Sequence, residues 1–135
     1  MIVVTHLEGD RFEIAVRNHR VYVDQPLADG GEDTAPTPTE LFVSSLAACV
    51  AFYAGRYLTR HGLPTDGLGA EADYGFAKGP TRVGQVTVRL RVPEAVPEDK
   101  WAALLAVASH CTVHNTLDVQ PVVSVELLTA ERAAA

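Results

Sequence analysis

The stretch from about Thr39 to His61 limits most strongly what this chain can fold into. Leu41, Phe42, Val43, Leu46, Ala47, Ala48, Val50, Ala51 and Phe52 place apolar residues almost all the way round a helix. Such a helix has to be covered from more than one direction. Its ends are marked. Thr37-Pro38-Thr39-Glu40 fits a capping box, with Pro38 at the first helical position and Glu40 in the first turn, where a negative charge suits the dipole. Gly62 is a natural stop, with Pro64 just beyond, and Arg56, Arg60 and His61 crowd the negative end. The sheet of a small protein covers one face of the helix, so a second subunit is expected on the other. The longest uncharged stretch, residues 41–55, falls short of the roughly 20 residues a bilayer span needs. No membrane role is expected.

Around this helix the pattern is mostly strand. Phe12–Val16 and Arg20–Asp24 are short and β-rich, and Gly9-Asp10 and Asn18-His19 supply turns, so residues 1–24 read as a three-stranded meander. Residues 25–38, with Gly30-Gly31, Pro36 and Pro38, form a loop. Gly69–Lys78 and Gln85–Val92 read as a strand pair, with Val86, Val88, Leu90 and Val92 on one face and Thr87, Arg89 and Arg91 on the other. Trp101, Leu104, Leu105 and Ala108 give a second helix over about Glu98–Ser109, and a short third helix follows Cys111. Val122–Leu128 reads as a final strand, and the tail from Ala130 to Ala135 is expected to fray. The order β-β-β-α-β-β-α-α-β is α+β: an antiparallel sheet wrapped on a long central helix, as a single domain over residues 1–135.

The net charge of −6 and the absence of any Lys/Arg run argue against nucleic-acid binding, which needs a basic face. Met1-Ile2-Val3-Val4-Thr5 is not a secretory leader, and two cysteines do not make a disulfide framework. A cytoplasmic protein with reduced thiols is expected.

Chemistry concentrates at the cysteines. Cys49 sits mid-helix beside small alanines; it reads either as a buried apolar residue or as a thiolate supported by a nearby cation. Cys111 lies between His110 and His114, so metal ligation by these three stays open, as does a capping histidine beside a buried cysteine. No protease or acyltransferase signature surrounds either cysteine. Arg11, Arg17 and Arg20 are candidates for the cation.

Asp24-Gln25-Pro26, Gly30-Gly31 and the run Pro36 through Cys49 resemble the loop and central helix of the OsmC/Ohr family. Cys111-Thr112-Val113-His114-Asn115-Thr116-Leu117 resembles that family's second-cysteine segment, and Gly9-Asp10-Arg11-Phe12 its first-turn arginine. The resemblance implies an intertwined homodimer with sites at the subunit interface. It implies a peroxidase that reduces organic hydroperoxides in oxidative-stress defence. In that cycle Cys49 becomes a sulfenic acid, Cys111 resolves it, and Arg11 and Glu40 support the thiolate. An external dithiol, rather than a bound cofactor or metal, restores the cysteines. Phe42, Leu46, Phe52 and Trp101 would wall the peroxide pocket. One departure stands out: the family's glutamate lies ten residues before the cysteine, where this chain has Thr39, and Glu40 is about 100° further round the helix. The segment is closer to the OsmC-like branch. The alternative expectation is a catalytically weak member that binds an apolar small molecule at the dimer interface.

Overall fold

The computed structural model describes residues 1–130. The expectation of a frayed tail over Ala130–Ala135 therefore lies, apart from Ala130, outside the described part. The elements run β1 (Ile2–His6), β2 (Phe12–Val16), β3 (His19–Val23), α1 (Pro38–Arg60), β4 (Gly69–Ala77), β5 (Arg82–Arg91), α2 (Trp101–Ala108) and α3 (Thr112–Asp118). Short 3-10 turns cover Leu27–Asp29 and Glu98–Lys100. The fold is α+β with two antiparallel sheets, β1-β2-β3 and β4-β5.

Helix α1 begins where the sequence marks it. Thr37 is the N-cap: its hydroxyl accepts the Glu40 N–H at 3.1 Å, while Glu40 Oε1 accepts the Thr37 N–H at 3.0 Å. These bonds satisfy two amides at the helix start. At the other end Leu63 N–H donates to Leu58 O at 2.8 Å and Gly62 N–H to Thr59 O at 3.2 Å, with Gly62 in the left-handed region (φ +65°). The buried stripe Val43, Leu46, Val50, Ala54 and Leu58 follows the i, i+3/i+4 spacing of one helix face. It meets Val96, Leu104, Ala108 and Cys111 in the core, flanked by Val86, Val88 and Leu90 from β5. The outer face of β4-β5 is polar, with Arg89–Asp73 and Arg91–Glu71 paired across the strands at 2.6 Å. By length and composition α1 could cross a membrane; here it is the core helix, packed by β4-β5 on one side and by α2 and α3 on another. Its remaining side, with Phe42, Ser45, Ala48 and Phe52, is exposed.

A tightly held loop joins β3 to α1. Asp24 is only 1% exposed; its carboxylate accepts the Gln25 N–H (2.7 Å), the Thr34 N–H (3.0 Å) and the Thr34 hydroxyl (2.7 Å). These donors, those of Thr34 foremost, hold the Asp24 carboxyl down at about 2. Gly31 is required by close approach, since a Cβ there would sit 2.0 Å from Gln25 O.

Within one chain β4-β5 packs on the helix, and β1-β2-β3 makes no substantial contact with any helix or with β4-β5. One expectation is corrected: residues 122–128 are not a strand. They are exposed, with Val122 at 100% and Leu127 at 98%, because no strand among the described residues lies alongside to complete a ladder.

Candidate active site

The two thiols meet across the α1–α3 contact. Cys49 is half-buried at the middle of α1, and Cys111 is fully buried as the N-cap of α3. Cys111 Sγ accepts the His114 N–H at 3.4 Å, and Cys49 packs against the core cluster that contains Cys111. Both are free cysteines. Burial pushes the Cys111 thiol above its ordinary value; the His114 N–H opposes this, and the hydrogen bond and charge of Cys49 add to the upward push. Cys111 therefore stays protonated at neutral pH. A thiol is a weak acceptor, and Ser or Thr caps a helix better. Capping alone does not account for a cysteine at this position.

One further contact fixes the geometry. Tyr53, one turn beyond Cys49, bonds through its hydroxyl to the Thr112 hydroxyl at 2.7 Å, next to Cys111. No local signal reveals this pair, because 59 residues separate its members.

The other expected site residues are placed as follows. Arg11 lies in the β1–β2 turn with Nη1 3.2 Å from Glu8 Oε1, on the sheet that stands away from α1, so one chain does not bring it to Cys49. Glu40 Oε1 is engaged in the capping box, about 13 Å along the helix axis from Cys49 at 1.5 Å per residue. Phe42 and Leu46 line one cavity of about 260 Å³, together with Val86, His114 and Leu117. Phe52 belongs to a different groove between α1 and α2. Trp101 is pinned at the start of α2, its Nε1–H donating to Val96 O at 3.2 Å. The expected four-residue wall is thus divided.

His110, Cys111 and His114 do not converge. His110 Nδ1 donates to Ala106 O at 2.7 Å, and His114 Nε2 lies 3.8 Å from Asp118 Oδ1. Among the described residues no cluster of three or more His, Cys, Asp or Glu side chains is placed to hold a metal ion.

A helix bearing one half-buried cysteine and a second cysteine capping the helix packed on it, flanked by a separate β-meander, define a class of two-cysteine α+β proteins. The family model described as OsmC-like protein matches residues 30–126. The chain belongs to the OsmC-like family. No curated protein matches it. Among solved structures it is similar to a Psychrobacter arcticus protein whose name refers to osmotic stress induction and detoxification (23% identity, 85% of each chain, TM-score 0.79). It is also similar to an OsmC-like protein from Mycoplasma pneumoniae (16% identity, 89% of this chain and 87% of that one, TM-score 0.76). A third is an organic hydroperoxide resistance protein from Elizabethkingia anophelis (20% identity, 89% of each chain, TM-score 0.68). At these identities the likeness establishes the fold.

Proposed function

We propose that this protein is a cysteine-based peroxidase that reduces organic hydroperoxides in the cytoplasm as part of oxidative-stress defence. The observation that carries the reading is the Cys49–Cys111 contact, with one thiol half-exposed and its neighbour sealed and protonated. In the cycle, the Cys49 thiolate attacks the outer peroxide oxygen and the O–O bond breaks. Cys49 becomes a sulfenic acid, and the departing alkoxide takes a proton from water to give the alcohol. The Cys111 sulfur then attacks the Cys49 sulfur, giving a disulfide and water, and an external dithiol reduces the disulfide by thiol–disulfide exchange. A protonated Cys111 suits this order, because it does not compete for the peroxide. The dividing of labour also needs a cation near Cys49. Arg11 would have to come from a second copy, and the exposed apolar residues of β1-β2-β3 and of residues 122–128 support a homodimer that brings the meander of one chain against the body of the other.

A second reading rests on Glu40 and Arg11. Their engagement in the capping box and with Glu8 favours a catalytically weak member that binds an apolar small molecule at the dimer interface. One assay separates the two. With dithiothreitol as reductant, wild-type protein is expected to consume cumene hydroperoxide with multiple turnovers, and Cys49→Ser to consume none. Cys111→Ser is expected to react once and stop as a sulfenic acid that dimedone traps. Undiminished turnover by Cys49→Ser, or none by the wild type, sinks the peroxidase.

A further inference from the structure

The groove between the C-terminal half of α1 and α2 contains neither cysteine and shares one residue, Tyr53, with the thiol site. It has a volume of about 430 Å³ and is lined by Phe52, Tyr53, Arg56, Tyr57, Arg60, His61 and Val107. Its charge is unusual for a chain of net charge −6. Elsewhere arginines are mostly spoken for: Arg11, Arg20, Arg89 and Arg91 pair with carboxylates, and Arg82 donates to the carbonyls of Lys78 and Pro80. Among the described residues Arg56 and Arg60 have neither a carboxylate nor a carbonyl partner, and both face one groove, one helical turn apart.

Direct capping of the helix carbonyls does not explain them. The last carbonyls of α1 are already taken: His61 N–H and Nδ1 donate to Tyr57 O at 3.1 and 2.8 Å, Gly62 N–H to Thr59 O and Leu63 N–H to Leu58 O. Arg56 turns the other way, its guanidinium 5.0 Å from the centre of the Phe52 ring. The groove also holds flat unsaturated surfaces. Tyr57 and His61 are stacked at 4.1 Å, and Phe52 stands edge-on to Tyr53 at 5.5 Å.

Guanidinium groups recognise carboxylates through paired N–H donors, and aromatic faces recognise flat apolar bodies. We infer that the α1–α2 groove is a binding site for a small organic anion with a flat body, an aromatic carboxylate being the simplest member. The carboxylate would take the N–H donors of Arg56 and Arg60, and the ring would lie against Phe52 and Tyr57. The inference is independent of the peroxidase reading, since neither cysteine lines the groove.

Isothermal titration calorimetry with 2-naphthoate tests it, using 2-naphthalenemethanol as the neutral counterpart. The wild type is expected to bind one naphthoate per chain saturably and the neutral analogue at least tenfold more weakly. Arg56→Gln and Arg60→Gln are each expected to lose about tenfold in affinity, with Arg56→Lys recovering part of it. Cys49→Ser is expected to bind as the wild type does, so loss of peroxidase activity leaves this result untouched. The inference is overturned by no saturable binding, by equal affinity for the neutral analogue, or by arginine variants that bind unchanged. It is also overturned if Arg60→Glu leaves naphthoate affinity intact while dissociating a dimer in sedimentation, which would give the groove to a second copy.

Discussion

The body formed by α1, β4-β5, α2 and α3 and the meander β1-β2-β3 bury apolar residues in opposite ways. The body closes on itself: Leu58, Leu104, Ala54 and Ala108 are wholly inaccessible. The meander has strands just as apolar, yet Ile2, Val3, Val4 and Val21 stay exposed, and so do Val123, Val125 and Leu127 in the carboxy-terminal arm. So many exposed apolar residues point to an interaction site rather than a free face. The chain thus carries one core of its own and a second set of apolar residues directed at something outside itself. The largest effect is therefore expected in the body. Leu104→Ala should cost about 2–5 kcal/mol, since the cavity it leaves is enclosed on all sides. Urea unfolding measures it, and a cost below 1 kcal/mol would mean that the body is far less closed than its burial implies.

That contrast also explains how far the sequence could be read. Helix α1 was legible because its signals are local: a capping box at one end, glycine at the other and an apolar stripe between. The alternation of Val86, Val88 and Leu90 likewise gave β5, because its partner β4 is the adjacent segment. The apolar run of residues 122–128 suggested a strand that no strand among the described residues pairs, since a local pattern says nothing about who supplies the neighbouring ladder. At the site, the meeting of Cys49 and Cys111 followed only from family resemblance. The Tyr53–Thr112 bond was not legible and the arginine groove barely so, because they arise where α1 meets α3 and α2. The spacing of Arg56 and Arg60 by four residues was the one available hint of the groove.

The arm gives the next prediction. Val123 and Val125 are largely exposed, at 77% and 91%, so Val123→Asp and Val125→Asp should change the intrinsic stability of the body by no more than about 0.5 kcal/mol. If a second copy covers the arm, the double variant should shift the protein from dimer to monomer in sedimentation velocity at micromolar concentration. A wild-type monomer under the same conditions would remove the external partner from the comparison.

Asp24 stands at the joint between the two regions, ending β3 and holding the loop that leads to the α1 cap. Its carboxyl is held at about 2, below the ordinary carboxylate value of about 3.9. The sign follows by linkage: a depressed folded-state value adds stability that is complete above the unfolded value and is lost as pH falls through the folded one. Wild type should therefore exceed Asp24→Asn in stability at pH 6 by a constant margin that shrinks between about pH 4 and pH 2. Urea midpoints for both proteins across pH 2–7 check this, and a margin independent of pH would show that the charge of Asp24 does not hold the joint.

The smallest effect belongs to the outer face of β4-β5. Arg89 and Asp73 meet at 2.6 Å, and the pairing raises the Arg89 guanidinium above its ordinary value, the hydrogen bond that Arg89 donates to Asp73 being the main cause. Both side chains are mostly exposed, at 59% and 75%, so water and salt screen the attraction. A double-mutant cycle of Arg89→Ala and Asp73→Ala should return only a small coupling that fades in 1 M sodium chloride. The same cycle reports on whether this face is solvated in the assembled protein. A large coupling that resists salt would require the pair to be dry. The body's polar face would then be covered by the second copy, and the apolar arm and meander would not be the only surfaces directed outside the chain.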